Sequence, residues 1–86
     1  MRVLKEFSVQ GCKVTLYHWN NRYLIKLEQD NLEQTFKVDQ FEFADERAVL
    51  QLLDETFVSE SIDRFDSMAQ SLHEALRRVD EQDGAG

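Results

Sequence analysis

Apolar and polar residues alternate with period two over residues 2–38, the spacing that sends every second side chain to the same face of a β-strand. Three pairs of turn-forming residues interrupt the alternation: Gln10-Gly11, Asn20-Asn21 and Asp30-Asn31. Asn and Gly tolerate the positive φ that two-residue hairpin turns require. Four strands are therefore expected, at about 2–9, 12–19, 22–29 and 32–38.

The turns also set a register. A two-residue loop at Asn20-Asn21 pairs Trp19 with Arg22, His18 with Tyr23, Leu16 with Ile25 and Val14 with Leu27. The first loop pairs Val9 with Cys12 and Phe7 with Val14; the third pairs Ile25 with Phe36 and Tyr23 with Val38. One face then collects Val3, Phe7, Val9, Cys12, Val14, Leu16, Tyr23, Ile25, Leu27, Phe36 and Val38. A slip of one residue in any hairpin would scatter this set, so the three turns support one another.

Beyond residue 39 the period changes to that of a helix. Phe41 and Phe43, in the connection, are expected at the core edge. Asp45 suits the cap of a helix over about 46–57, with Val49, Leu50, Leu53 and Phe57 along one stripe. Ser59 or Ser61 suits the cap of a second helix running to about residue 80. Its apolar positions are Ile62, Phe65, Ala69, Leu72, Leu76 and Val79, which the spacing assigns to covering the sheet. The two helices can equally be one long bent helix, since only Val58-Ser59 separates them and the chain has no proline. The fold class is α+β: a four-stranded antiparallel meander followed by helices packed on one face. Residues 1–80 form one domain and 81–86 a disordered tail.

Composition narrows the function classes. At 86 residues the chain has room for one domain, and 42% hydrophobic residues suffice for a thin core. An oligomer would ease the shortage of core. No apolar run approaches the roughly 18 residues of a membrane helix, and Met1-Arg2-Val3-Leu4-Lys5-Glu6 lacks the apolar core of a secretory signal. With one cysteine, Cys12, an internal disulfide is impossible. A cytoplasmic location is expected. The net charge of −7 disfavours nucleic acid. That charge is segregated: residues 1–40 carry six Lys/Arg against five Asp/Glu, and 41–86 carry four against twelve.

No constellation for catalysis, cofactor or metal emerges. His18 falls on the apolar face six residues from Cys12, roughly 20 Å along a strand, and reads as structural. His73 reads as a solvated helix residue, and Cys12 as a small core residue. The acidic positions Glu42, Asp45, Glu46, Asp54, Glu55, Glu60, Asp63 and Asp66 lack the alternate ligands and central glycine of a calcium loop. Arg77-Arg78 suit the last turns of a helix. The three glycines lie in a hairpin and the tail, so no phosphate loop exists.

The second face of the sheet carries the candidate site. The register puts Leu4, Tyr17, Leu24 and Lys37 in one row and Glu6, Thr15, Lys26 and Thr35 in the next, with Arg2, Trp19 and Arg22 together at the far end. If the helices cover the apolar face, Leu4, Tyr17, Trp19 and Leu24 face water, rimmed by Arg2, Arg22, Lys26 and Lys37. Tyr, Trp and Arg are enriched at binding hot spots, although Trp19 stacked on Arg22 would also be a favourable cross-strand pair. The expectation is a non-enzymatic protein-interaction module, associating with its own copies or another protein through Leu4, Tyr17, Trp19, Arg22, Leu24, Lys26 and Lys37. The alternative is a single-stranded nucleic-acid-binding or transcription-regulatory module using the same face as a stacking platform. The meander-then-helix order has a loose likeness to single-strand-binding transcriptional cofactors, with no motif residues to carry over.

Overall fold

The computed structural model describes the backbone of residues 1–85 and the side chains of residues 1–82. Four antiparallel strands form one open sheet in sequence order: β1 (Arg2–Val9), β2 (Cys12–Trp19), β3 (Arg22–Gln29) and β4 (Leu32–Asp39). The turns have the expected chemistry. Gln10, Gly11, Asn20, Asn21 and Asp30 all hold φ between 51° and 78°. The pairs Leu16–Ile25, Tyr17–Leu24, Trp19–Arg22 and Ile25–Phe36 form as the turns dictate.

The register departs from strict alternation in one place. A bulge in β1 sets Lys5 against Leu16 and Val3 against Tyr17, so Leu4 is the extra residue. Alternation alone would put Lys5 opposite Leu16 on the apolar face. The bulge keeps that pairing and adds Leu4, which packs against the core. Val3, expected in the core, is 52% exposed on the opposite face. Arg2 pairs with His18 and so leaves the company of Trp19 and Arg22.

After a single 3₁₀ turn at Gln40–Glu42 come α1 (Glu46–Leu50) and α2 (Glu55–Ala85). They cover the face bearing Val14, Leu16, Ile25 and Leu27, as expected. Phe43 packs on the core edge against Tyr23, whereas Phe41 is 75% exposed. The first helix ends earlier than its apolar spacing suggests. The amides of Gln51, Leu52 and Leu53 bond three residues back, which tightens the chain into a stop. Asp54, and neither Ser59 nor Ser61, then caps α2: the Phe57 amide donates to Asp54 Oδ1 at 2.8 Å, a contact worth about 1 kcal/mol. Ser61 is instead fully buried in mid-helix. Backbone helix continues to Ala85, so residues 81–85 extend α2, while Gly86 lies outside the described residues.

The core comprises Cys12, Val14, Leu16, Ile25 and Leu27 from the sheet with Val49 from α1 and Phe65 from α2. α2 runs antiparallel to β4 and is fastened to it by polar bonds as well as packing. Gln34 Nε2 donates to the Ser61 carbonyl at 2.7 Å and Arg64 Nε donates to Gln34 Oε1 at 3.1 Å, while within α2 Arg64 Nη2 donates to Ser61 Oγ at 3.0 Å. Phe57 meets Phe36 edge-on at 5.1 Å.

The helix is longer than the sheet it covers. An eight-residue strand spans about 26 Å, and a 31-residue helix about 46 Å. α2 therefore overshoots the sheet by roughly four turns, and the longest dimension of the molecule is 57 Å.

Candidate interaction surface

The outer face of the sheet brings together Tyr17, Trp19, Arg22, Leu24, Lys26 and Lys37, six of the seven expected residues. Leu4 is not among them, because the bulge turns it to the core and gives its place to Val3. The apolar part of this face is largely self-covered. Leu24, expected to face water, is only 6% exposed. Tyr17 is half-buried, with the Lys26 ammonium 5.4 Å from its ring centre. The cation on an aromatic ring here is thus Lys26 on Tyr17, not Arg22 on Trp19. Lys26 is also held by Glu28 at 3.5 Å and Glu33 at 3.9 Å. The Tyr17 phenol foremost, then these carboxylates, hold its ammonium above the usual lysine range.

Charge on this face is balanced. Lys13, Arg22, Lys26 and Lys37 share it with Glu6, Glu28, Glu33 and Asp39. At its far end Trp19, 45% exposed, lines a shallow depression of about 300 Å³ with Asn20, Asn21, Arg22, Leu24 and Lys37.

A second surface was assigned to the core by its spacing and is not there. Val58, Phe65, Leu72 and Val79 recur every seven residues along α2, so they lie on nearly the same side of the helix. Val58 and Phe65 are 1% and 2% exposed, sealed against the sheet. Leu72 and Val79 are 42% and 55% exposed, and Leu76 between them is 56% exposed. The cause is the overshoot: near Leu32, at the start of β4, the sheet ends and the stripe continues. Leu32, Ser67, Met68, Ser71, Leu72 and Ala75 line an open, mostly apolar groove at that junction. The expectation that Leu72 is a core residue is corrected accordingly. A comparison of strand and helix lengths in the sequence would have exposed the mismatch, which periodicity alone cannot, because it records a stripe without recording what covers it.

His18 hydrogen-bonds through Nε2 to Oε1 of Gln40 and lies edge-on to Tyr23 at 5.5 Å. Cys12 is fully buried, and burial pushes its thiol up, away from the thiolate form. Among the described residues no three His, Cys, Asp or Glu side chains converge as metal ligands would, and no helix is long and apolar enough to cross a membrane. Comparison with protein-family models, curated proteins and solved structures finds no match to this chain.

Proposed function

We propose that this chain is a small non-enzymatic protein-interaction module whose principal docking surface is the free end of α2. The observation that carries this reading is the uninterrupted seven-residue stripe, sealed at Val58 and Phe65 and open at Leu72 and Val79. Fully burying one leucine contributes about 1.5–3 kcal/mol relative to leaving it in water. Three large aliphatic side chains in a row on a projecting helix form the pattern by which amphipathic helices find partners. The sheet face is the lesser surface, since Leu24 is already covered, Tyr17 is half-buried, and its exposed large apolar side chains are Trp19 and Val3. Its four cations against four anions also make a weak case for single-stranded nucleic acid, which calls for a basic track beside the stacking rings.

The test is association with protein, own copies included, for the wild-type chain and for a double variant carrying Leu72→Glu and Leu76→Glu. The variant is expected to lose retention of partner protein on an immobilised chain while its urea midpoint stays unchanged. Equal retention by both forms would contradict the reading.

A further inference from the structure

We propose that the depression at the Trp19 end of the sheet's outer face binds a single nucleoside monophosphate, its base stacked on the Trp19 indole and its phosphate held by Arg22 and Lys37. This site is separate from the free end of α2 and does not depend on it.

The charges of the outer face are balanced in number but not in place. Lys13 is held by Glu6 at 3.8 Å, and Lys26 by Glu28 and Glu33. Arg22 and Lys37 have no ion-pair partner among the described residues. The carboxylate best placed to neutralise them belongs to Asp39, which pairs with Arg22 across the strands. Its Oδ1 instead accepts from the Phe41 amide at 2.9 Å and caps the 3₁₀ turn, and Asp39 does not line the depression. The two unpaired cations therefore stand together on the rim of one hollow. Even with Asp39 counted, two cations against one carboxylate leave this end of the sheet positive.

The free aromatic surface lies at the same end. Lys26 occupies the Tyr17 ring, whereas Trp19 is exposed and, among the described residues, carries no cation or second ring. Leu24, almost fully buried, gives the hollow an apolar floor. Asn20 and Asn21 complete the lining, and their amides supply both donors and acceptors. The turn that carries them is fixed: both hold positive φ, and the Asn21 carbonyl accepts from the Gln40 amide at 3.0 Å.

The ligand class follows from these parts. A planar ring suits the open indole face. The asparagine amides match the donors and acceptors on the edge of a nucleobase and would find no partner on a plain phenyl ring. Arginine grips two phosphate oxygens as a fork, and lysine adds a point charge. At about 300 Å³ the hollow is at the small end of ligand sites. The next cation along the face, Lys26, is already paired, so one nucleotide fits and an extended strand finds no track.

Trp19 is the only tryptophan, so its fluorescence reads the site directly. Titration of the full chain with AMP is expected to quench it saturably, with a Kd below about 1 mM. Adenosine and inorganic phosphate, each lacking one half of the ligand, should bind at least about 10-fold more weakly. Arg22→Gln and Lys37→Gln should each weaken AMP binding by about 10-fold or more. Trp19→Ala, read by calorimetry, should weaken it by about 5–150-fold, the loss of one base stack. All three side chains are exposed, so far-UV circular dichroism should match the wild type. Lys13→Gln, on the same face but paired to Glu6, should leave AMP binding unchanged. Absence of saturable quenching up to about 10 mM AMP would overturn the proposal. So would adenosine binding as tightly as AMP, full affinity in the Arg22→Gln, Lys37→Gln double variant, or an equal loss with Lys13→Gln. An oligonucleotide that bound far more tightly than AMP, with the salt dependence of several phosphates, would overturn it in favour of a strand-binding surface.

Discussion

Phe65→Ala is expected to cost about 3–5 kcal/mol of folding stability, whereas Leu72→Ala, one heptad further along the same side of the same helix, should cost under about 1 kcal/mol. Phe65 is the buried residue through which α2 enters the central cluster, 2% exposed among Leu16, Ile25 and Leu27. Removing its ring leaves a cavity at the contact between helix and sheet. The flanking fasteners, Gln34 to Ser61 and Arg64 to Gln34, lie at the margin and cannot refill it. Leu72 stands 42% in water beyond the end of the sheet, and its truncation leaves no enclosed void. Urea titration of dilute protein reads both values. A loss above about 2 kcal/mol for Leu72→Ala would mean that the stripe is packed within one molecule.

Ile25→Ala is expected to be nearly as damaging, at about 2–5 kcal/mol. Ile25 is 1% exposed in β3, one of the two central strands, and it pairs directly with Leu16 on one side and Phe36 on the other. Those neighbours are held by two hairpin registers, so the sheet cannot slide to close the gap. A domain of this size has a total stability near 5–10 kcal/mol, and either substitution should leave a substantial unfolded fraction near its thermal midpoint. A loss below about 1 kcal/mol for Ile25→Ala would contradict its place between Leu16 and Phe36 in the core.

The meander was legible because independent signals agreed. Positive-φ residues at three turns and the alternation between them imply one register, and that register formed from Phe7 to Val38. The β1 bulge was visible only as a conflict. Strict alternation set Lys5 among apolar residues; the structure keeps Lys5 opposite Leu16 and, through one extra residue, turns Leu4 inward and Val3 outward. The boundary between α1 and α2 was masked for a related reason. Val49, Leu50, Leu53 and Phe57 keep helical spacing across a stop set by the capping carboxylate of Asp54, and periodicity does not see caps. The candidate site was legible in membership and misjudged in exposure. Tyr17, Trp19, Arg22, Leu24, Lys26 and Lys37 do share a face. In the middle of a sheet, however, long neighbours such as Lys26 lie across short or flat ones, and Leu24 is closed off. The stronger surface, at Leu72, Leu76 and Val79, was hidden by an assumption that an apolar helical stripe belongs to the core of its own molecule.

That assumption can be tested residue by residue through amide hydrogen exchange along α2, measured in dilute protein. A projecting helix of about 14 residues is marginal alone in water, so its protection depends on what covers it. Strong protection is expected over residues 55–68 and weak protection over 72–80. Protection over 72–80 equal to that over 55–68 would contradict a stripe left open by its own molecule.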